Sequence, residues 1–252
     1  MIQIENGEVW ADDSGGDGPT LVLLHPGIGD SRVWDPILPA LTPSYRVIRY
    51  DARGFGQSPA PTAEFTLLDD LIAVVDQFAV ERAAFVGCSQ GGDTSLAFAL
   101  AQPSRVSALV LLCPGISGYP IEDPEMDAVW ESAEAAGVES VDEVAALGLQ
   151  LWGRAGATPE VAAQFHSAAR AWLSNEGFEK QFPPVYDRLG EISVPSSLLV
   201  GDLDRPALIE SNRAAAARIP GCELVDVAGV DHLPPLRVPD LVLDLIQKTL
   251  AR

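Results

Sequence analysis

The chain has 252 residues, of which 47% are hydrophobic and 21% are charged, a composition typical of a globular protein that buries a core without disulfide or metal staples. Asp and Glu outnumber Lys and Arg by 36 to 16, so the formal net charge is -20. This acidity, without any Lys/Arg run, excludes the basic patch that binds nucleic acids or anionic membranes. We therefore expect a small-molecule substrate as the partner, with no nucleic acid and no membrane.

The three cysteines, Cys88, Cys113 and Cys222, form no C-x-x-C pair, so the sequence predicts neither a disulfide framework nor a zinc site. The three histidines share no ligand spacing with carboxylates or thiols, so no metal and no cofactor are expected. The first residues lack a basic segment followed by a long apolar run, and no stretch reaches about 18 uninterrupted apolar residues. We expect a cytoplasmic protein that is a monomer or a homodimer.

Residues 1–12 alternate loosely before a turn-rich segment, which predicts a short strand or hairpin at a sheet edge. Compact apolar runs then predict buried parallel strands at 20–27, 45–51, 82–89, 107–115, 196–204 and 222–229. Amphipathic stretches predict helices at 31–42, 67–80, 90–103, 207–219 and 237–251. This alternation predicts an α/β fold: a mostly parallel, doubly wound sheet with functional loops at the carboxyl ends of its strands.

The alternation stops between residues 118 and 190, where three helical stretches rich in aromatic residues replace strands. We interpret 118–190 as a helical cap (lid) inserted into a core domain formed by 1–117 and 191–252. Large aromatic residues are candidates for lining a substrate pocket, although a role in an internal core suits each of them equally well. The candidates are Trp34, Trp130, Trp152 and Trp172.

The predicted strand at 82–88 leads into Gly87-Cys88-Ser89-Gln90-Gly91, a G-x-S-x-G motif that precedes a helix. A turn this sharp strains the backbone of its central residue, and the flanking glycines remove side chains that would collide. Ser89 is therefore exposed above the sheet, and the amino end of the next helix stabilises negative charge beside it. The motif predicts Ser89 as a nucleophile.

A serine hydroxyl needs a base within hydrogen-bond reach, and histidine titrates in the right pH range. His166 falls in a predicted cap helix, and His25 ends an early strand. His232 lies in the loop between the last strand and the last helix, at the same sheet edge as Ser89. We predict His232 as the general base and acid.

A carboxylate is required to orient the histidine and to stabilise the imidazolium that forms. Asp204 ends the strand at 196–204 and is the preferred candidate. Asp202 competes for the role, whereas Asp231 is adjacent to the histidine and is expected to point away from it. The chain order Ser, Asp, His is the one expected for this sheet topology.

An oxyanion formed at the substrate needs two N–H donors. The backbone N–H of Gln90, directly after the nucleophile, is the first candidate. The second is expected in the early loop 25–30, where Pro26 has no N–H and Gly27 is therefore the donor. His25 is then a structural residue that holds this loop.

Five segments, LVLLHPGIGDSRVW, RYDARGFGQS, FVGCSQGG, LLVGDLDRP and GVDHLPP, resemble the landmarks of the α/β-hydrolase superfamily in order and spacing. The resemblance spans essentially the whole chain. The chain is similar to the esterase, enol-lactonase and carbon–carbon bond hydrolase group, and its segment 118–190 resembles the helical cap of that group. The resemblance implies a catalytic triad of Ser89, Asp204 and His232. It also implies an oxyanion hole formed by the N–H groups of Gly27 and Gln90. Members commonly carry His-Gly where this chain has His25-Pro26, a change that can move the Gly27 donor.

The leading functional hypothesis is a serine hydrolase of the carboxylesterase or lactonase type, which cleaves a small, neutral or weakly polar ester or lactone through an acyl-enzyme on Ser89. Carbon–carbon bond hydrolysis, peracid formation and cofactor-free oxygenation use the same triad and stay open, since fold and triad do not specify the substrate. A third hypothesis, from another class, is a small-molecule receptor with vestigial turnover.

Overall fold

The computed structural model describes residues 1–175 and 177–252. The strands in this part of the chain are β1 (Ile2–Ile4), β2 (Gly7–Val9), β3 (Ala11–Asp13), β4 (Thr20–Leu24), β5 (Arg46–Tyr50), β6 (Ala83–Cys88), β7 (Val106–Leu112), β8 (Ser196–Gly201) and β9 (Glu223–Val227). The α-helices are α1 (Leu38–Leu41), α2 (Leu67–Gln77), α3 (Gln90–Ala101), α4 (Pro124–Ala136), α5 (Val141–Trp152), α6 (Pro159–Asn175), α7 (Pro206–Arg218), α8 (Pro234–Arg237) and α9 (Pro239–Leu250).

Seven strands form one sheet in the order β3-β5-β4-β6-β7-β8-β9. β3 pairs antiparallel with β5 at the edge, and the other pairs are parallel. β1 and β2 form a separate antiparallel hairpin, so both the predicted edge strand and the predicted hairpin occur. From β4 the chain moves to β5 on one side and then crosses to β6 on the other. Such a switch point opens a crevice at the carboxyl ends of the strands, where ligands bind in open α/β sheets.

Helices cover both faces of the sheet. One buried cluster contains Leu71 of α2, Leu96 of α3 and Ala215 of α7. The cluster on the other face contains Leu41 of α1 and Ile246 of α9. Apolar side chains that emerge from alternate positions of the buried strands feed both clusters, as expected for parallel strands covered on both faces. The sheet is therefore doubly wound, as the sequence predicts.

The predicted helix at 31–42 is broken. Residues Ser31–Trp34 form a 3-10 turn, and the α-helix resumes only at Leu38. Pro36 explains the break, because proline lacks the N–H for an i to i−4 bond and its ring collides with the carbonyl four residues earlier. Pro239 separates α8 from α9 in the same way.

Helices α4, α5 and α6 lie between β7 and β8, inside the predicted insertion. Side chains from all three helices, among them Trp130, Val144 and Trp172, line a cavity together with Ser89. Trp34 was also a candidate for lining this pocket, and that expectation is wrong: its side chain is 0% exposed and packs in the cluster that includes α1 and α9. Among the described residues, no helix combines the length and apolarity needed to cross a membrane.

Candidate active site

Ser89 occupies the tight turn between β6 and α3. Its backbone angles are φ 51° and ψ -116°, a conformation that costs free energy for a residue with a side chain. A Cβ on Gly87 would collide with the carbonyl of Gly91, and a Cβ on Gly91 would collide with the carbonyl of Leu24. Glycine is therefore required on both sides of the serine, which is the physical basis of the G-x-S-x-G spacing.

Three of the predicted residues, which follow β6, β8 and β9, meet at the carboxyl ends of the strands. The Nε2 atom of His232 lies 2.7 Å from Ser89 Oγ, and its Nδ1 atom lies 2.5 Å from Asp204 Oδ2. His232 and Asp204 are 2% and 3% exposed, so this chain of hydrogen bonds is shielded from bulk water. An Nδ1–H that donates to Asp204 leaves Nε2 as the acceptor for the serine hydroxyl, which is the tautomer that a general base needs.

The other carboxylates near the histidine have different partners. Asp202 accepts a hydrogen bond from the backbone N–H of Gly229 (2.6 Å). Asp231 accepts one from the backbone N–H of Ala155 (2.9 Å) and pairs with Arg237 (2.7 Å). Of the three candidates, only Asp204 therefore contacts the His232 ring.

The rings of His25 and His166 have partners other than Ser89 and Asp204. The Nδ1 atom of His25 lies 2.9 Å from the carbonyl oxygen of Pro26, and Nε2 accepts from the N–H of Ala52 (2.9 Å). These bonds hold the loop after β4, in agreement with the structural role expected for His25. His166 is on α6 with its ring 3.5 Å from Asp142, and its side chain is 45% exposed.

The loop after β4 presents Gly27 beside Ser89 and Gln90. The carbonyl of Pro26 accepts from the Gly29 N–H at 3.1 Å and contacts His25. Because N–H and C=O of a trans peptide point in opposite directions, these contacts turn the N–H of Gly27 away from the loop interior. Neither this N–H nor that of Gln90 donates to a protein acceptor in the part of the chain that the structure describes. Both donors are available to a ligand.

The side chain of Gln90 contacts a carboxyl group from the segment between β7 and β8. Its Nε2 donates to Glu179 Oε1 at 3.3 Å. Burial raises the pKa of the Glu179 carboxyl, although the hydrogen bond from Gln90 opposes this shift. A Cβ on Gly27 would lie 2.7 Å from Gln90 Oε1, so a side chain at position 27 would collide with Gln90. Glycine at position 27 lets the loop after β4 approach the start of α3 closely.

A cavity of about 540 Å³ opens above Ser89. Trp130 and Trp152, both predicted to bind substrate, line it, as does Trp172. The remaining wall residues were not predicted, since short aliphatic residues carry no sequence signal that separates a pocket from a core; they are Ile28, Val138, Val144 and Leu173. A second cavity of about 540 Å³ lies along α2, around Arg53 and Asp70, away from the triad.

The one group of potential metal ligands found among the described residues combines Asp204 and His232 with the neighbouring Cys113. Both ring nitrogens of His232 already contact Ser89 and Asp204. Burial raises the pKa of the Cys113 thiol well above its usual value, so the thiolate that a metal requires is disfavoured. The donor set therefore fits proton transfer better than metal binding.

Two contacts between the segment 118–190 and the site were not predicted. Arg205, directly after Asp204, lies 2.9 Å from Asp123 at the start of α4, and its Cζ lies 4.8 Å from the ring centroid of Trp152. The indole Nε1–H of Trp172 donates to the carbonyl of Gly27 at 2.8 Å. No local pattern identifies such contacts, because each joins residues that are far apart in the chain.

Residues 19–157 match the model of a family described as alpha/beta hydrolase fold. The chain belongs to this family. The fold predicted from the sequence, and the resemblance to its esterase, lactonase and carbon–carbon bond hydrolase members, are thereby confirmed.

Several relatives are named as hydrolases. This chain is 33% identical to a 2-hydroxymuconate semialdehyde hydrolase from Pseudomonas sp. strain CF600 over 64% of its own length and 63% of that enzyme. It is 28% identical to a 2-hydroxy-6-oxononadienedioate/2-hydroxy-6-oxononatrienedioate hydrolase from Klebsiella pneumoniae over 97% of this chain and 91% of the relative. The crystal structure of the enol-lactonase from Burkholderia xenovorans LB400 is similar, with a TM-score of 0.80, 25% identity and coverage of 99% and 98%.

Proposed function

We propose that this protein is a serine hydrolase that cleaves a small, neutral ester or lactone through an acyl-enzyme on Ser89. The observation that carries the proposal is the continuous hydrogen-bond chain from Asp204 through His232 to Ser89. The chain ends at a cavity whose floor is formed by the nucleophile and by two candidate oxyanion donors, Gly27 and Gln90.

In the acylation step, Ser89 Oγ attacks the carbonyl carbon while its proton passes to Nε2 of His232. Asp204 stabilises the imidazolium that results. The N–H groups of Gly27 and Gln90 donate to the oxygen that gains negative charge. When the tetrahedral intermediate collapses, His232 returns the proton to the leaving alkoxide, and the acyl group stays on Ser89.

In the deacylation step, water enters the place of the alcohol. His232 accepts a proton from this water as its oxygen attacks the acyl carbon, and the same two N–H groups stabilise the second oxyanion. Collapse returns the proton to Ser89 Oγ and releases the acid. For a lactone, the alcohol remains attached to the acyl group and leaves with the acid as one hydroxy acid.

The cavity wall supports a neutral substrate. None of the lining residues that the structure describes is Lys, Arg, Asp or Glu. A substrate carboxylate would lose its hydration in this cavity without gaining an ion pair, which is costly. Apolar walls with a few convergent polar groups at one end are typical of sites for small uncharged molecules.

The second candidate is a carbon–carbon bond hydrolase with the same triad, because two relatives are named for such substrates. The name of the Klebsiella pneumoniae relative denotes a substrate with two carboxylates. The uncharged lining described above favours the ester or lactone over such a dianion. Comparing the hydrolysis of a 2-hydroxy-6-oxodienoate with that of a neutral ester tests the two candidates directly.

The decisive experiment measures release of p-nitrophenol from short acyl esters, together with covalent labelling by a fluorophosphonate. We expect labelling at Ser89 and many turnovers per enzyme molecule. Ser89→Ala should abolish labelling and lower kcat/KM by about a thousandfold or more. Ser104→Ala, at an exposed serine just after α3, is the matched control and should retain both activities.

A different result would contradict the proposal. If Ser89→Ala keeps the activity of the parent protein, another group is the nucleophile. If neither labelling nor turnover occurs while a small molecule is retained stoichiometrically, the receptor hypothesis replaces the enzyme.

A further inference from the structure

Tryptophan side chains form a continuous surface in the cavity above Ser89. The ring centroids of Trp130 and Trp172 lie 6.2 Å apart at an interplanar angle of 75°, and those of Trp152 and Trp172 lie 5.8 Å apart at 55°. The ring of Trp152 is also 6.4 Å from that of His232. One aromatic surface, with Trp172 in its middle, therefore extends from the triad into the cavity.

The middle of this surface presents carbon to a ligand. The only polar atom of the Trp172 side chain, Nε1, already donates to the Gly27 carbonyl. The aliphatic residues Ile28, Val138 and Val144 complete the nearby wall. A ligand is thus recognised here by its shape and by contact with aromatic faces and edges, because the wall offers no ion pair.

Two kinds of ligand suit several adjacent indoles: a quaternary ammonium group and a neutral aromatic ring. The acidic protein as a whole would attract a cation. However, the guanidinium of Arg205 already lies 4.8 Å from the ring centroid of Trp152, and its side chain is 4% exposed. Asp123 balances the charge of this guanidinium, but Trp152 already has a cationic partner, and a second cation would have to compete with it for the same indole. The neutral ring is therefore the better match.

A flexible alkyl chain is also a weaker match than a ring. Aromatic pairs gain roughly two- to tenfold in affinity beyond the contribution of their buried area. An alkyl chain of equal area gains no such term and loses rotational freedom at each bond that the cavity immobilises. The cavity, at about 540 Å³, is within the range of small-molecule sites and holds a ring beside the reacting carbonyl.

We propose that the substrate carries a neutral aromatic ring that packs on Trp130, Trp152 and Trp172 while its carbonyl carbon faces Ser89. This inference rests on the proposed serine hydrolase function and adds the chemical class of the substrate to it.

The test compares esters that differ only in the ring. Ethyl phenylacetate and ethyl cyclohexylacetate place the ring on the acyl side, and benzyl acetate and cyclohexylmethyl acetate place it on the alcohol side. A methylene group separates each ring from the ester, so the intrinsic reactivities within a pair are similar. We expect the aromatic member of at least one pair to have a kcat/KM about three- to tenfold higher in a pH-stat assay.

Substitutions connect this preference to the tryptophan surface. Trp130→Leu should lower the aromatic-to-saturated ratio at least twofold, because it removes one ring while the side chain stays apolar. Trp10→Leu is the matched control: Trp10 is half-buried beneath Arg49, outside the cavity lining. It should leave the ratio unchanged even if it lowers stability.

Several outcomes would overturn the aromatic substrate. Equal kcat/KM values within both pairs would contradict the aromatic substrate but would still agree with the proposed hydrolase function. A preference for acetylcholine over its neutral analogue 3,3-dimethylbutyl acetate would show that the tryptophan surface binds a quaternary ammonium group and not an aromatic ring. If no ester is turned over, the test is how well phenylacetamide and cyclohexylacetamide protect Ser89 from labelling by fluorophosphonate. Equal protection by the two amides would contradict the preference for an aromatic ring. If fluorophosphonate does not label Ser89 at all, the proposed hydrolase function itself is wrong.

Discussion

Helices α6 and α4 both lie between β7 and β8, inside the predicted insertion, but are attached to the rest of the molecule in different ways. The structure describes both helices completely, and Ala133 is the only buried residue of α4. In contrast, eight residues of α6 are buried, including Phe165 and Ala168. Apolar burial is the main source of stability in a helix of this length, so α6 is effectively part of the core.

The polar contacts of α6 and α4 also differ. Four side chains of α6 hydrogen-bond to backbone groups of the loops after β4 and β5: Gln164 to Asp30 (2.8 Å), Trp172 to Gly27 (2.8 Å), Ser167 to Gly56 (3.2 Å) and Asn175 to Arg53 (2.7 Å). The start of α4 is held by charged groups instead, through Asp123 with Arg205 and Glu125 with Arg154. One segment can thus combine a helix that is packed into the core and bonded to the loops of the site with a helix that is held mainly by ion pairs.

The largest expected effect compares the apolar contacts of the two helices. Phe165→Ala in α6 should lower the free energy of unfolding by about 3–5 kcal/mol, since it removes a ring that is 1% exposed. Val129→Ala, at a half-buried position of α4, should cost less than about 1 kcal/mol. Urea denaturation measures both. Equal losses would mean that α4 is as much a part of the core as α6.

Protonation of Asp30, which contacts α6, should lower the stability of the protein in acid. Burial raises the pKa of Asp30, but hydrogen bonds from Arg32 and Ser167 outweigh it and lower the pKa to about 2, from an ordinary 3.8. The carboxylate therefore stabilises the fold above pH 4, and about 2 kcal/mol of this stabilisation is lost as the pH falls from about 4 to about 2.

Unfolding measurements as a function of pH test this expectation. Asp30→Asn should be less stable than the parent protein at pH 6 and should lose less stability between pH 4 and 2. If the two proteins have parallel pH profiles, Asp30 does not have a lowered pKa.

The polar attachment of α6 can be tested separately from its apolar contacts. Gln164→Leu keeps the side-chain volume but leaves the buried N–H of Asp30 without its acceptor, so stability should fall by about 1–3 kcal/mol. Gln150→Leu, at an exposed position of α5, is the matched control and should change it by less than about 0.5 kcal/mol. Similar values for the two variants would show that the contact with Asp30 contributes nothing.

The smallest expected effect links α6 to the proposed chemistry. Trp172→Phe keeps an aromatic ring in the cavity but removes the donor to the Gly27 carbonyl. The loop that carries Gly27, a proposed oxyanion donor, is then less constrained, and a loss of about 1 kcal/mol in transition-state stabilisation lowers kcat about fivefold. KM for p-nitrophenyl acetate should change less than kcat. A rise in KM at constant kcat would indicate that Trp172 only binds substrate.

Much of this architecture could be predicted from local patterns. The apolar runs that become β4, β6, β7 and β8 are recognisable because these strands are buried on both faces, whereas β9, at the sheet edge, has no buried residue although the sequence predicts a buried strand there. Ser89 is identified by glycines that the turn itself requires, and the structure brings it together with Asp204 and His232. The broken helix at 31–42 shows the limit of periodicity, because Pro36 overrides an apolar pattern that is otherwise helical.

The sequence by itself determined the order of strands and helices, the family and the residues able to form a triad, because these depend on neighbours along the chain. Only the tertiary structure decided that Asp204 rather than Asp202 contacts His232, and that Trp34 packs in the core while Trp172 lines the cavity and holds Gly27. Those outcomes depend on distances of a few ångströms between residues far apart in sequence, and such distances are set by packing of the whole fold.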